Sequence, residues 1–137
     1  MNQRSLLTGL AISLLLGMRV SSAGVGPSPE ALRQTIRDYI AAQEKLQGAF
    51  AIVDKKSGAL RQLKLVRVHD RVGKTGNYYY SCTDMTDVAT QDLLDLDFDI
   101  EDQAGNLKVA GIRIHKDNGK PRYTYDENDN MIPTPAE

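Results

Sequence analysis

The chain has 137 residues, of which 17 are Lys or Arg and 18 are Asp or Glu, so its formal net charge is −1. This length fits one domain of ordinary size. The nearly balanced charge excludes a polybasic surface, so we expect neither nucleic acid nor anionic lipid as a partner. Cys82 is the single cysteine, so no disulfide can form within the chain, and we interpret Cys82 as a small buried apolar residue.

The first residues have the three-part pattern of a secretory signal peptide. Arg4 supplies a charge, residues 6–18 are apolar, and residues 21–23 are small. The apolar stretch is shorter than the roughly 20 residues that span a bilayer. We therefore predict that residues 1–23 are removed on export and that the mature protein is periplasmic or secreted, with no membrane span. The alternative is an uncleaved membrane anchor.

One amphipathic helix is predicted for residues 29–47. Ser28, Pro29 and Glu30 are typical of a helix start, with an N-cap, a first-turn proline and an early acid. Gly48 suits the left-handed residue that commonly ends a helix. Apolar residues recur at helical spacing on one face: Leu32, Ile36, Tyr39, Ile40 and Leu46. Since no second helix of comparable length follows, this face must pack on a sheet.

After Gly48, period-two alternation and turn residues predict an antiparallel meander. The predicted strands are residues 49–54, 60–69, 78–85, 94–101, 107–116 and 122–126, with a polar loop at 70–77. Changes of phase in the apolar pattern near Leu65 and Gly111 are typical of β-bulges. We predict an α+β fold with one helix on about five to six antiparallel strands. The domain would cover residues 24–126, and residues 127–137 would form a flexible tail.

Asn118 and Gly119 are a strong two-residue hairpin signal, which sets the register of the last strands. A bulge at Gly111 extends that register to the preceding strand pair. The predicted pairs are Ile114 with Tyr123, Ile112 with Tyr125, Ile114 with Leu96, and Ile112 with Phe98. All of these residues are expected on the apolar face under the helix.

Acidic residues alternate with the apolar residues of the strand at 94–101 and point to the opposite face. The register places Asp95 beside His115 and Arg122, Asp97 beside Arg113, and Glu101 near Lys108. Such pairs are typical of a solvated, charge-balanced sheet surface, which is our first interpretation. The alternative is a polar recognition surface. Its candidate binding residues are Tyr79, Asp95, Asp97, Asp99, Arg113, His115 and Arg122.

No cofactor, metal site or catalytic residue is predicted. The alternating acids from Asp95 begin like a calcium-binding loop, but Ile100 stands where that loop needs glycine. A second candidate loop from Asp126 has Met131 at the same position. Neither stretch therefore matches a calcium site.

Nucleophilic catalysis by Cys82 would need His69 or His115 within reach. Cys82 shares its strand parity with Tyr80, which we place inside, whereas His115 is placed outside. We therefore expect the Cys82 thiol to be buried and unreactive, on the face opposite the His115 imidazole.

One long helix across an antiparallel meander resembles the cystatin-like and NTF2-like folds, over nearly the whole chain after residue 23. The segment LLDLDFDIEDQAGNLKVAGIRIHKDNGKPRYTYD, residues 93–126, is also similar to small uncharacterised exported bacterial proteins. This resemblance implies export and a fold but no reaction. Cystatin inhibitors carry a Gln-x-Val-x-Gly loop and a Pro-Trp pair, and this chain has no tryptophan.

These features favour a non-enzymatic periplasmic or secreted binding or accessory module that uses an open polar sheet face to bind an envelope or extracellular partner. The alternative is a small enzyme or enzyme inhibitor on a cystatin-like scaffold. The shape of the site separates the two hypotheses. A cleft lined by His69, Tyr78, Tyr80 or Cys82 would favour the alternative, and a flat polar sheet would favour the binding module.

Overall fold

This computed structural model describes residues 25–135. The predicted signal peptide at residues 1–23 lies outside them, and export therefore stays a prediction. Within the described part of the chain, no helix combines the length and the apolar character needed to cross a membrane.

Helix α1 is Pro29–Gln47, as predicted. The Ser28 hydroxyl caps it by accepting a 3.1 Å hydrogen bond from the Ala31 N–H. Gly48 ends the helix in the left-handed conformation, with φ of 79°, and its N–H donates to the Glu44 carbonyl. The helix boundaries are therefore set by the capping residues on either side.

A six-stranded antiparallel sheet follows the helix in simple meander order. Its strands are β1 (Phe50–Val53), β2 (Leu60–Thr75), β3 (Tyr78–Asp87), β4 (Leu93–Gln103), β5 (Asn106–Asp117) and β6 (Lys120–Pro121). A separate two-stranded sheet pairs β7 (Tyr123–Tyr125) with β8 (Met131–Pro133). The predicted α+β class is confirmed. The polar loop predicted for residues 70–77 is wrong, because β2 continues to Thr75.

The core lies between α1 and one face of the six-stranded sheet. Leu32, Ile36 and Ile40 of the helix are almost completely buried. Their partners come from five strands: Phe50, Leu63, Met85, Leu94, Leu96, Phe98, Ile100 and Ile114. Full burial of one such side chain contributes about 1.5–3 kcal/mol relative to an exposed one, so this single layer is the main source of stability. The other face of the sheet is free of the helix.

Both predicted bulges are present. Leu65 pairs with Met85 and Arg67 with Asp84, which leaves Val66 as the additional residue in β2. In β5, Gly111 pairs with Asp99 and Val109 pairs with Ile100, which leaves Ala110 as the additional residue beside Gly111. The predicted pairs Leu96 with Ile114 and Phe98 with Ile112 are confirmed. Each bulge returns the apolar residues on both of its sides to the helix face.

Two further irregularities shape the other face. Asp95 pairs with Lys116 and Leu96 with Ile114, so His115 is an additional residue in β5. In β2, the register shifts between Val68 and Val72. The buried Ser81 hydroxyl lies 3.1 Å from the His69 carbonyl oxygen and 3.0 Å from the Arg71 carbonyl oxygen, which stabilises that shift. The bulges therefore set where His69 and His115 stand.

The C-terminal segment does not continue the sheet. Strand β6 pairs only through Lys120 and Pro121, and proline has no N–H to extend the ladder. The chain then turns away and forms the β7–β8 hairpin. The predicted pairing of Tyr123 with Ile114 and of Tyr125 with Ile112 is therefore wrong. Strand β8 also lies within residues 127–137, for which the sequence predicted a tail.

Candidate functional site

The sheet surface turned away from α1 carries a group of polar residues, which we call the polar face. It consists of Tyr80, Cys82, Asp95, Asp97, Asp99, Arg113 and His115. Asp97 is 0 % exposed, and Asp95 and His115 are 7 % and 8 % exposed. The expected open, solvated surface is wrong for this central part, because the rings of Tyr123 and Tyr125 in β7 pack over it. The polar face is thus partly enclosed.

Asp97 lies at the centre of the polar face and accepts three hydrogen bonds. Its Oδ2 accepts from the Tyr123 hydroxyl at 2.7 Å and from the Tyr125 hydroxyl at 2.6 Å. Its Oδ1 accepts from the Cys82 thiol, with an Sγ to Oδ1 distance of 2.8 Å. Burial and the neighbouring Asp97 carboxylate raise the pKa of both tyrosines. The hydroxyls therefore remain donors to Asp97, and a buried carboxylate is satisfied without a direct ion pair.

Arg113 links the same tyrosines to Asp99. Its guanidinium forms a two-point contact with the Asp99 carboxylate. It also donates to the Tyr123 hydroxyl at 3.4 Å and to the Tyr125 hydroxyl at 3.2 Å. The sequence predicted Arg113 beside Asp97, and the backbone register confirms that. The side chain nevertheless reaches Asp99, and the tyrosines stand between Arg113 and Asp97.

A pocket of about 220 Å³ opens beside this network. It is lined by His69, Arg71, Tyr80, Cys82, Asp95, His115 and Lys116. The His115 ring stacks on Tyr123 with 4.8 Å between ring centroids, which fixes its orientation. His115 Nδ1 lies 3.7 Å from Cys82 Sγ, 3.9 Å from Asp95 Oδ2 and 3.9 Å from Asp97 Oδ1. Four potential ligand atoms therefore converge on one point of the pocket.

Two polar atoms of the pocket wall are buried and have no hydrogen-bond partner within residues 25–135. They are Asp95 Oδ1 and His69 Nε2. His69 Nε2 lies 2.9 Å from Asp84 Oδ1, but not in hydrogen-bonding geometry. Burial raises the pKa of Asp95, despite the opposing effect of His115. An unpaired buried carboxylate oxygen is costly, so Asp95 is the wall residue that most needs a ligand.

Cys82 faces the same side as His115, and the expectation that the two would lie on opposite faces is wrong. The reason is that Tyr80, used to assign the inside, itself belongs to the polar face and stacks on Tyr125 at 4.5 Å between centroids. Burial and the Asp97 charge raise the pKa of the Cys82 thiol strongly. The thiol is therefore protonated at neutral pH and a weak nucleophile.

Five of the seven predicted binding residues lie together on the polar face, and Tyr79 and Arg122 do not. Tyr79 packs against the helix-side core, with the Lys74 ammonium 5.1 Å from its ring centroid. Arg122 lies at the end of the sheet, where it forms a two-point ion pair with Asp54 at 2.6 and 2.9 Å. Neither residue contributes to the pocket wall.

The predicted binding set left out four residues of the site, although two of them, Tyr80 and Cys82, were named as the lining of a cleft in the enzyme alternative. The four are Tyr80, Cys82, Tyr123 and Tyr125. Tyr80 and Cys82 are two residues apart in β3, so they lie on the same face of the sheet. The alternation does not show which face that is. Tyr123 and Tyr125 were missed because the hairpin at Asn118, although correctly predicted, was extended too far. Pro121 was the available signal that the pairing beyond this turn is short.

Comparison with known proteins finds no family model, curated protein or solved structure that matches the chain. The resemblance to cystatin-like and NTF2-like folds therefore remains a prediction. One helix packed on an antiparallel sheet is the level at which the fold is established. The function must accordingly be argued from the polar face and its pocket.

Proposed function

We propose that this chain is an exported, non-enzymatic binding protein that takes a small cation into the pocket of the polar face. The observation that carries the proposal is the Asp95 carboxylate. It is 7 % exposed, it lines the pocket, and its Oδ1 has no hydrogen-bond partner in the part of the chain that the structure describes. A cation in the pocket would supply the missing partner.

The charges around the pocket support a cationic ligand. Asp95 is buried in its wall, and the buried Asp97 lies behind that wall, with Oδ1 2.8 Å from Cys82 Sγ. The basic residues that share the pocket are more exposed, with side-chain exposures of 68 % for Arg71 and 42 % for Lys116. Arg71 is also neutralised by Asp129 at 2.6 Å. Because water screens the exposed charges more than the buried ones, we expect the buried carboxylates to dominate the field inside the pocket.

The size of the pocket supports a small ligand. Its volume of about 220 Å³ is below the roughly 300–1,000 Å³ of pockets for drug-sized molecules. A flat recognition surface for a macromolecule is not favoured either, because β7 and its tyrosines cover the middle of the polar face. The ligand class that remains is an ion or a molecule of a few heavy atoms.

The enzyme alternative has one observation in its favour, since His69, Tyr80 and Cys82 do line a cleft. The chemistry of that cleft argues against it. The thiol has a raised pKa, whereas a nucleophile needs a lowered pKa or an adjacent base. Cys82, Asp95 and Asp97 all approach the same nitrogen of His115, Nδ1, and among the described residues no ion pair is found at Nε2 that would orient the ring from its other side. Binding therefore fits the site better than catalysis.

Thermal unfolding of the untagged mature protein tests the proposal. The panel contains divalent metal ions, ammonium and guanidinium, with phosphate and sulfate as anionic counterparts. We expect at least one cation to raise Tm in a saturable way, no anion to do so, and Asp95→Asn to abolish the rise. Asp70→Asn, which changes an exposed acid outside the pocket, is the matched control. A rise with anions only, or one that survives Asp95→Asn, would contradict the proposal.

Export is tested separately by intact mass of the protein recovered from the periplasm or medium. We expect a mature chain that begins at Gly24. A recovered chain that still begins at Met1 would contradict the predicted cleavage.

A further inference from the structure

We propose that the cation of this pocket is a divalent transition-metal ion of the zinc type, bound by Cys82, Asp95, Asp97 and His115. The inference rests on the proposed function and names its ligand. Each of the four residues offers one ligand atom, and these atoms all lie within 4.8 Å of one another. The residues come from three adjacent strands, β3, β4 and β5, so the sheet itself assembles the site.

The distances among the four ligand atoms are close to those of a tetrahedral zinc site. Zinc lies about 2.0–2.3 Å from its ligands, which places neighbouring ligand atoms about 3.3–3.7 Å apart. The distances from His115 Nδ1 to Cys82 Sγ, Asp95 Oδ2 and Asp97 Oδ1 are 3.7, 3.9 and 3.9 Å. The 2.8 Å contact from Cys82 Sγ to Asp97 Oδ1 is a hydrogen bond that an ion would replace. The remaining pairs of ligand atoms lie within 4.8 Å of each other, so side-chain adjustment would have to bring them closer to complete the site.

The donor set selects a class of metal. One thiol sulfur, one imidazole nitrogen and two carboxylate oxygens match zinc and similar first-row ions. Calcium prefers six to eight oxygen ligands and magnesium prefers octahedral oxygen, and this pocket offers neither. Calcium and magnesium are therefore disfavoured.

The surroundings hold the ligands in place. Tyr123 and Tyr125 bond to Oδ2 of Asp97 and leave Oδ1 directed at Cys82 and His115. Stacking on Tyr123 holds the His115 ring. Such outer contacts orient metal ligands and are worth about 10–100-fold in metal affinity. The β7 strand thus acts as the outer support of the site.

Asp95 indicates that these residues form a ligand site and not only a hydrogen-bonded network that stabilises the fold. Asp97 has its hydrogen bonds, whereas Asp95 Oδ1 is buried without one among the described residues. Asp95 Oδ2 is the oxygen nearer to His115 Nδ1, and rotation of the carboxylate about its last torsion can direct either oxygen to an ion. The group of His69, Asp84 and Asp95 is a second set of converging ligands. Asp84, however, already accepts a 2.9 Å hydrogen bond from Arg67, and that group has no thiol. The four residues around Cys82 are therefore the better site.

Binding changes protons but not oxidation states. The Cys82 S–H bond breaks as the bond from Sγ to the metal forms, and the proton leaves to solvent. The thiolate, the two carboxylates and a neutral imidazole leave one net negative charge with a divalent ion. The Lys116 ammonium, 3.9 Å from Asp95 Oδ2, offsets that charge.

The test uses Co²⁺ and Zn²⁺ as probes with the untagged, metal-free mature protein. We expect one equivalent of Co²⁺ to produce a thiolate-to-cobalt charge-transfer band and Zn²⁺ to displace it. Cys82→Ser should remove the band, and Cys82→Ser and His115→Ala should each weaken Zn²⁺ binding by about 100-fold, as measured by competition with a chelating dye. His69→Ala is the matched control, because it removes an imidazole from the same pocket but from outside the proposed ligands. It should keep the band.

Three outcomes would overturn the inference. They are Co²⁺ binding without a charge-transfer band in the unmutated protein, Zn²⁺ affinity unchanged in Cys82→Ser, and an equal loss in His69→Ala and His115→Ala. The first outcome needs no variant, so a variant that fails to fold does not leave the inference untested. If Zn²⁺ and Co²⁺ do not bind but another cation raises Tm in an Asp95-dependent way, this inference fails and the proposed function stands. If no cation does so, both fail.

Discussion

The Tyr125 hydroxyl donates a 2.6 Å hydrogen bond to Oδ2 of Asp97, which joins the C-terminal hairpin to the middle strand of the polar face. The Asp97 carboxylate is completely buried, and within the described residues it forms no ion pair with a lysine or an arginine, while His115 Nδ1 lies 3.9 Å from its Oδ1. Its charge is stabilised instead by hydroxyl and thiol donors. The hairpin is therefore part of the domain, since without it a carboxylate in the centre of the sheet would lose two donors.

Removing one of these donors should destabilise the protein. For Tyr125→Phe and for Tyr123→Phe we expect a loss of about 1.5–3 kcal/mol in the free energy of unfolding, the usual range for a hydrogen bond to a charged group. Urea unfolding measures it. The exposed Tyr78→Phe is the control and should change the free energy by less than about 0.5 kcal/mol. A Tyr125→Phe protein as stable as the parent would contradict the role of the hairpin.

Reversing the charges of a residue pair tests whether that pair belongs to a buried network or is a solvent-exposed ion pair. On the solvated, charge-balanced surface that the sequence first suggested, reversing Asp97 and Arg113 together would matter little for stability. With Asp97 buried and Arg113 shared among Asp99 and two tyrosines, we now expect Asp97→Arg with Arg113→Asp to lose at least about 3 kcal/mol.

Glu101→Lys with Lys108→Glu is the matched control for that reversal. These residues are directly paired on the same two strands but nearer the solvent. Swapping them should change the free energy of unfolding by less than about 1 kcal/mol. Similar losses in the two double variants, measured by urea unfolding, would show that the polar face is solvated as the sequence first suggested.

Stability should fall at alkaline pH because of Tyr80. This side chain is 2 % exposed, its hydroxyl donates to Asp129 Oδ1 at 2.9 Å, and Arg71 faces it at 3.3 Å. Burial, with the Asp129 contact, raises its pKa to about 12. Since the folded-state pKa lies above the unfolded value of about 10, the protonated hydroxyl stabilises the fold fully below pH 10. That contribution is lost as the pH rises through about 12.

The difference in unfolding free energy between the parent and Tyr80→Phe isolates the effect from the other tyrosines. We expect that difference to be constant up to about pH 10 and to shrink between about pH 10 and pH 12. A difference that does not change over this interval would mean that Tyr80 has an ordinary pKa.

Arg122 should matter for stability at the end of the sheet. It forms a two-point ion pair with Asp54, which is 1 % exposed and whose pKa Arg122 lowers far below the usual range. We expect Arg122→Ala to lose about 3–5 kcal/mol, because a buried carboxylate would lose its main partner. Arg61, 3.9 Å from Asp54, can offset part of this loss.

Acid should weaken the contribution of the Arg122–Asp54 pair to the free energy of unfolding. Because the folded-state pKa of Asp54 is depressed, the pair stabilises the fold fully above about pH 4, and this stability is lost as the pH falls. Urea unfolding from pH 7 downward should therefore show a shallower loss in Asp54→Asn than in the parent. Parallel curves would contradict the ion pair.

The metal-free Cys82 thiol should react slowly with a thiol reagent. Burial and the Asp97 carboxylate raise its pKa, so little thiolate is present at about pH 8. We expect labelling of the native protein to be at least about 100-fold slower than labelling in urea. Asp97→Asn, which removes the charge but keeps the shape, should speed native labelling. Native labelling as fast as in urea would instead favour the enzyme alternative.

The sequence by itself determined the helix, the order of the main strands and the central pairing of β4 with β5. The caps around α1, the alternation in β4 and the phase changes near Leu65 and Gly111 are local patterns, and each had one structural solution. The register that pairs Leu96 with Ile114 followed from them, because a slip by one residue would expose the whole apolar face.

The tertiary structure alone decided what covers the polar face. Alternation in a strand shows that there are two faces but not what packs on each. A three-residue strand such as β7 can turn its two tyrosines to either side of the sheet. The tyrosine hydroxyls reach the buried Asp97 carboxylate because the chain leaves the six-stranded sheet at Pro121. The additional residue at His115 has no glycine to signal it. The enclosure of the polar face therefore results from long-range contacts between the C-terminal hairpin and the sheet.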